Sequence, residues 1–235
     1  PAAEAAFNGE LIENLESDSV LRAPGSLQGR DVSLRNLRNC RILLLDRIGA
    51  LHVRGLQRCE ILVTAVSSSA LMHDCKECVF TLAAKQLRLH DSDKTVFHLH
   101  TLSGPIIEHC KRILFAPLDL SWPGGEEQMK CASLGTASVD GAWKDVQDFN
   151  WLKRQASPNW AAVPEELRRK SQNFVDDSEA LKALGSDKVP VLSELELYGG
   201  LWNHPAAQTA VSDAPMPAPE ASAAKTIEDS HDDEF

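Results

Sequence analysis

Several features are missing from this 235-residue chain, and each absence narrows its function. It has no run of roughly eighteen apolar residues, so a membrane-spanning helix is excluded. It has no glycine-rich loop ending in Gly-Lys-Ser/Thr, so we expect no tight nucleotide binding by the chain alone. It also lacks a serine elbow motif, a Cys/His nucleophile pair and any Lys/Arg run. The chain has a formal net charge of −10, so nucleic acid is the weaker choice of partner.

The six cysteines form only one CxxC pair, Cys75 and Cys78. A structural zinc site needs a second pair or histidines at suitable spacing. Five histidines lie nearby and leave zinc open as an alternative: His73, His90, His98, His100 and His109. A chain of this length has room for a sizeable core, so it needs no disulfide framework.

A repeat of about nineteen residues explains the cysteines better. The segments Cys40–Leu44, Cys59–Val63 and Cys78–Leu82 each alternate apolar positions with period two and follow one another at intervals of 19. Thr95–Leu99 follows 17 residues later, and Cys110–Phe115 follows 15 later with one extra residue. A second alternating stretch precedes the cysteine position by six residues, as from Val53 to Cys59.

Period-two alternation inside a repeat of this length is typical of a solenoid of stacked strands. The sequence therefore predicts a mainly β protein with a right-handed parallel β-helix. Cys40, Cys59 and Cys78 are expected to stack as small buried hydrophobes. The residues between the inward positions are expected to face solvent: Arg41, His52, Arg54, Glu60 and Arg88.

The chain divides into four parts by charge and composition. Residues 1–24 are an acidic, weakly helical N-terminal extension, and residues 25–166 are the β-helix domain with a packed aromatic segment. Residues 167–202 are a helical extension, with short helices expected at Pro164–Lys170 and Ser178–Leu184. Residues 203–235 hold seven acids and one base among Ala, Pro and Ser, and are interpreted as a disordered acidic tail.

Six segments resemble the C-terminal domain of the tubulin-binding cofactor C family. They are Lys85–His90, Pro105–Glu108, Phe115–Pro117, Trp143–Trp151, Ser157–Trp160 and Pro164–Glu166. The aromatic Asp-Phe-Asn-Trp and Ser-Pro-Asn-Trp motifs favour cofactor C over its relatives, an activator of Arf-like GTPases and the actin-binding domain of cyclase-associated protein. The family fold is a β-helix, which agrees with the repeat.

The resemblance implies a GTPase-activating protein that is not an enzyme by itself. Its expected partners are β-tubulin and the tubulin cofactors D and E, in the cytoplasm and at the cytoskeleton, without membrane insertion. No cofactor is expected, because GTP and magnesium belong to the partner. The alternatives are activation of an Arf-like small GTPase and a non-catalytic tubulin- or actin-binding scaffold. Oligomeric state stays open.

The same resemblance assigns roles to five residues. Arg88, in the motif Gln-x-Arg-x-His, matches the arginine finger. Gln86 matches a glutamine beside it, Glu108 an acid that contacts the GTPase, and Phe149 part of an aromatic patch. His90 lies two residues beyond Arg88, on the same side of an extended strand. The alternative is a solvated position for Arg88 and Glu108, simple packing for Phe149, and a structural role for His90.

Overall fold

The computed structural model describes residues 8–122 and 124–168, and the backbone of residues 172 and 173. Its strands are β1 Glu10–Glu16, β2 Ser19–Arg22, β3 Val32–Arg38, β4 Arg41–Ile48, β5 Leu51–Gln57, β6 Glu60–Lys76, β7 Val79–His90, β8 Asp93–Thr101, β9 Ile106–Glu108, β10 Lys111–Pro117, β11 Leu120–Ser121, β12 Gln147–Asp148, β13 Trp160–Ala162 and β14 Gln172–Asn173. One α-helix, α1, spans Gly125–Cys131, and two 3₁₀ turns span Ala142–Lys144 and Glu165–Leu167.

Every described strand pairing is parallel, and the register follows the sequence repeat. Arg41 pairs with Glu60 and Glu60 with Val79, both at a distance of 19 residues along the chain. Val79 pairs with Val96, 17 residues on. The predicted parallel β-solenoid is confirmed by these pairings, and its handedness stays a prediction.

The coils stack two parallel sheets around one core. The first sheet contains β1, β3, β5, the second halves of β6 and β7, and then β9 and β12. The second sheet contains β2, β4, the first halves of β6 and β7, and then β8, β10 and β13. The long strands β6 and β7 belong to both sheets, with shifts of register where the chain passes from one sheet to the other.

Columns of like residues fill the space between the sheets. Ile42, Ile61, Phe80, Phe97 and Phe115 follow one another in register, and all five are at most 1% exposed. Phe80, Phe97 and Phe115 stack with ring centroids 5.1 and 5.3 Å apart. The predicted cysteine column is also present, since Cys40, Cys59, Cys78 and Thr95 are each fully buried.

The coils turn at residues with left-handed backbone, and this pattern corrects the last copy of the repeat. Asn39, Arg58, Glu77 and Lys94 precede the cysteine positions with φ between 51° and 53°, and Arg112 has φ 52°. Ile113, which follows Arg112, pairs with Thr95 and so occupies the cysteine position. The expectation that Cys110 occupies it is wrong, because the turn takes up two residues more than the single extra residue expected. Cys110 lies instead in the column of Cys75.

The first coil lies in the segment that the sequence interprets as a weakly helical extension. Glu10–Glu16 form β1 and pair with β3, while Ser19–Arg22 form β2 and pair with β4. The helical interpretation is wrong for these residues. Ile12 is buried because its side chain adds to the inward apolar column of the first sheet, next to Leu34.

The outward side of the second sheet is covered, which corrects two surface assignments. Arg41 and Glu60 are only 8% and 6% exposed, and Arg41 Nε lies 3.1 Å from Glu60 Oε2. Near them Leu43, Leu45 and Leu62 pack with Leu120 in a separate buried cluster. The register places the two side chains beside each other under this cover. His52, Arg54 and Arg88, on the first sheet, are exposed as predicted.

After β10 the chain packs back against the solenoid. The stretch that shows no period in sequence contains α1, whose Gln128 accepts a hydrogen bond from Thr64 and donates one to the carbonyl of Leu45. The helix expected at Pro164–Lys170 is limited to a 3₁₀ turn, after which Arg168 is extended. The expected Ser178–Leu184 helix and the acidic tail lie outside the described residues. No helix in the described part is long and apolar enough to cross a membrane.

Candidate functional site

The five predicted site residues lie on three adjoining strands of the first sheet. Arg88 pairs with Ile106, and His90 pairs with Glu108, across β7 and β9. Gln147 and Asp148 continue the stack as β12, so Phe149 follows at the position beside Glu108. Gln86, Arg88 and His90 alternate along β7 with the buried Leu87 and Leu89. The parallel register thus brings together residues that are separated by up to 63 positions in sequence.

Arg88 is exposed and has no hydrogen bond or ion pair with another described residue. Its direct neighbours across the sheet are Leu71 on β6 and Ile106 on β9. Both are half-buried apolar side chains, which can flank the aliphatic stem but offer the guanidinium no charge. Other surface arginines are engaged, for example Arg58 with Glu77 and Arg112 with Asp93. The guanidinium of Arg88 is therefore available to a partner.

Gln86 lies at the start of this strand segment, beside the turn between the two sheets. It is half-buried and pairs with Ser69 on β6. The preceding residue, Lys85, is exposed, and its carbonyl accepts hydrogen bonds from Leu102 N–H and Ser103 Oγ. The backbone at Lys85 is thus held by the next coil, which fixes the position from which Gln86 and Arg88 project.

His90 connects Arg88's strand to the acid on the next coil. Its Nδ1 lies 3.2 Å from Glu108 Oε2. Its ring stacks on that of His73, with centroids 4.6 Å apart and planes 10° from parallel. Burial, together with the nearby charges of His90 and Arg54, lowers the pKa of His73. His73 is therefore neutral at pH 7, and two imidazoles can stack without mutual charge repulsion.

Phe149 is held outward by the residues on either side of it. Asp148 Oδ2 accepts hydrogen bonds from Ser157 Oγ at 2.6 Å and from Asn159 Nδ2 at 2.7 Å. The side chain of Asn150 accepts one from the backbone N–H of His109. Phe149 is 49% exposed between these anchors, which is high for a large apolar side chain. The two aromatic motifs therefore form one clasp that presents Phe149 beside Glu108.

The tertiary structure adds residues that sequence reasoning missed. His73, Asp148 and Asn150 support the predicted residues and are visible only from the register and the hydrogen bonds. Trp151 packs within its own loop, where its Nε1 donates to the carbonyl of Gln155 and Lys153 lies over its ring. Among the described residues, no three His, Cys, Asp or Glu side chains are placed to hold a metal ion. The arrangement is a surface with a cation that is unpaired among the described residues, three polar groups and one exposed aromatic ring.

A family model described as tubulin binding cofactor C matches residues 29–149, which is more than half of the chain and contains all five site residues. The chain belongs to the tubulin binding cofactor C family. The match begins just before β3 and ends at Phe149, so it covers the solenoid from β3 to β12 and the first part of the clasp.

Relatives named for cofactor C have similar sequences over the same region. The chain is 40% identical over 159 residues to tubulin-specific chaperone C from Bos taurus, covering 67% of this chain and 46% of that protein. It is 36% identical over 158 residues to tubulin-folding cofactor C from Arabidopsis thaliana, covering 67% and 45%. The chain thus spans about half the length of the curated relatives it matches. A solved structure of tubulin binding cofactor C from Leishmania major matches with a TM-score of 0.48 and 20% identity, over 72% of this chain and 98% of that one.

Proposed function

We propose that this chain is a GTPase activator in tubulin folding. It supplies Arg88 in trans to GTP held by β-tubulin in a complex with cofactors D and E, and so releases native αβ-tubulin. Membership of the cofactor C family supports the tubulin partner, and the unpaired, outward guanidinium of Arg88 supports the mechanism. The protein works at the cytoskeleton in the cytoplasm and completes a partner's active site.

The chemistry of GTP hydrolysis explains why a free arginine matters. As the γ-phosphoryl group moves to water, negative charge spreads over its oxygens, and a fixed cation lowers the energy of that state. A guanidinium is planar, permanently protonated and able to donate two parallel hydrogen bonds. Because Arg88 has no intramolecular partner among the described residues, it enters the partner's site without first breaking an ion pair.

The neighbouring residues provide contact rather than chemistry. Phe149 offers exposed apolar area beside the finger, which suits the centre of a protein interface. Gln86 supplies an amide that can hydrogen-bond near the nucleotide, and Glu108 a carboxylate for a basic group on the GTPase. GTP and magnesium stay with the partner in this scheme, and the chain binds neither alone.

The first prediction concerns removal of the finger. GTP hydrolysis by tubulin mixed with cofactors D and E is measured with the intact chain, Arg88→Ala, Arg88→Lys and the control Arg38→Ala. Arg38 is an exposed arginine at the end of β3, several coils away. Arg88→Ala should reduce the acceleration by about 10³–10⁵-fold. Arg88→Lys should also lose most of the acceleration, because lysine keeps the charge but lacks the two parallel hydrogen-bond donors of the guanidinium.

The controls separate the competing functions. Arg38→Ala should accelerate hydrolysis as the intact chain does. Equal acceleration by Arg88→Ala would disprove the arginine-finger mechanism and favour a non-catalytic scaffold. If no variant, including the intact chain, accelerates hydrolysis, tubulin is the wrong substrate for this segment alone. The same four proteins are then compared on a panel of Arf-like small GTPases.

A further inference from the structure

Among the strand positions that adjoin Arg88 in the described part of the chain, one carries an acid that is able to neutralise it. Seven outward positions adjoin Arg88 in the parallel register: Ser69, Leu71, His73, Gln86, His90, Ile106 and Glu108. Six of them carry no negative charge. Glu108 is diagonal to Arg88, since it pairs with His90, two residues further along β7. Long side chains reach one another across such a diagonal.

A bond between Glu108 and Arg88 would oppose the function proposed above. A carboxylate binds a guanidinium through the same two donors that would otherwise reach the phosphoryl oxygens. It would also cancel the positive charge that the transition state requires. A surface arginine with a carboxylate in reach commonly forms an ion pair, as Arg112 does with Asp93. The absence of such a pair at Arg88 therefore needs a cause.

The cause lies in His90, which neighbours Arg88 on the same side of β7 and lies directly opposite Glu108. Glu108 Oε2 lies 3.2 Å from His90 Nδ1, in electrostatic contact with the imidazole. Both side chains are sheltered, with 19% of His90 and 34% of Glu108 exposed. In this contact the carboxylate is directed across the sheet, from β9 towards His90 on β7. The guanidinium beside Ile106 is left without an acid.

We propose that His90 is a positioning residue that holds Glu108 away from Arg88 and keeps the guanidinium unpaired for the partner's GTP. The role of this free guanidinium rests on the function proposed above, whereas the holding of Glu108 does not. His73 supports His90 in this role, because its ring stacks on that of His90 and limits the rotamers that His90 can adopt. The inward Met72 and Leu89, which precede His73 and His90 on their strands, keep both imidazoles on the outward side.

The direct test uses the free protein and no GTPase. The Arg88 Nε–H signal is followed by ¹⁵N NMR in the intact chain, His90→Ala, Glu108→Gln and the double variant. His90→Ala should shift this signal and slow its exchange with water, because Glu108 is released to pair with Arg88. Adding Glu108→Gln should restore the original signal. His90→Asn keeps a donor near the position of Nδ1 and should behave like the intact chain.

The control is His52→Ala, which removes an exposed imidazole from the same sheet on β5 and should leave the Arg88 signal unchanged. An Arg88 signal that does not change in His90→Ala would overturn the proposal. So would a change that persists when Glu108→Gln is added, because the effect would then not pass through the carboxylate.

Activity then separates this inference from the proposed function. His90→Ala should lower GTPase activation by about two- to six-fold, because an exposed ion pair with Glu108 would hold Arg88 in an inactive form to about that extent. In protein that already carries Glu108→Gln, the same change should have no effect. An NMR response without any activation in the intact chain would leave His90's role in place and reject the GTPase function. Equal losses in both backgrounds would reject the positioning role.

Discussion

At the scale of single residues, Arg41 and Arg88 have opposite surroundings, although the sequence pattern is the same for both. Arg41 and Arg88 both occupy outward positions on strands, and alternation alone assigns both to solvent. Arg88 is exposed and unpaired among the described residues, whereas Arg41 is buried against Glu60. Alternation decides which side of a strand a residue faces, but not whether that side is covered by another part of the chain.

The buried pair leads to a prediction about stability. Glu60→Ala leaves the guanidinium of Arg41 in a covered site without its carboxylate, so the free energy of unfolding should fall by about 3–5 kcal/mol. Urea unfolding followed by circular dichroism measures the change. The double variant Arg41→Met with Glu60→Leu removes both charges and should recover most of the loss. A single variant as stable as the parent would show that water reaches the pair.

At the scale of strands and turns, part of the turn pattern was available in the sequence. Asn14, Asn36, Gly55, Asp74 and Asp91 follow the repeat, and each has positive φ. Asn, Asp and Gly tolerate the left-handed region best, so their recurrence marks one corner of the coil. The corner before the cysteine positions begins with Asn39 but continues with Arg58, Glu77, Lys94 and Arg112, whose chemistry gives no such signal. That is why the last repeat could not be aligned correctly from the sequence.

The cysteine columns give a prediction at this scale. Cys40, Cys59, Cys75, Cys78 and Cys110 are buried in the inward columns, while Cys131 at the end of α1 is exposed. Burial raises the pKa of Cys110 to about 11 and the pKa of Cys75 still further, so few thiolates form at these two positions. The hydrogen bond with Cys78 instead lowers the pKa of Cys59, but the Cys59 side chain is fully buried and closed to a reagent. The folded protein should therefore react rapidly with iodoacetamide at Cys131 alone.

Mass spectrometry of the alkylated protein identifies the modified positions. The protein unfolded in guanidinium chloride is the control and should be alkylated at all six cysteines. Cys131→Ser should leave the folded protein almost unreactive. Rapid native alkylation of Cys59 or Cys78 would contradict the stacked column, because those side chains lie between successive coils.

At the scale of the whole molecule, stability depends on how many neighbours each coil has. Ile61 on β6 lies in register between Ile42 and Phe80, whereas Ile12 on β1 has one inward neighbour among the described residues, Leu34. In a solenoid the interfaces between neighbouring coils carry most of the stability. The same substitution should therefore have different effects at the centre and at the end.

Ile61→Ala should lower the free energy of unfolding by about 4–5 kcal/mol, and Ile12→Ala by about 2 kcal/mol, the two ends of the range for this change in protein cores. The first leaves a cavity enclosed on both sides, while the second leaves one that the terminal coil can relax into. Denaturant unfolding of both variants checks the order. A larger loss for Ile12→Ala would indicate that the first coil nucleates the fold.

The sequence by itself determined the solenoid, its period, the cysteine column and the outward direction of Arg88, because these follow from the alternation of apolar residues within a regular repeat. The motifs alone also pointed to the family. Only the tertiary structure decided which outward faces are covered, where the first coil begins, and how His73, His90 and Glu108 lie around the unpaired Arg88. These features depend on contacts between residues distant in sequence, and such contacts arise only when the coils stack in one register and the aromatic segment closes over the end.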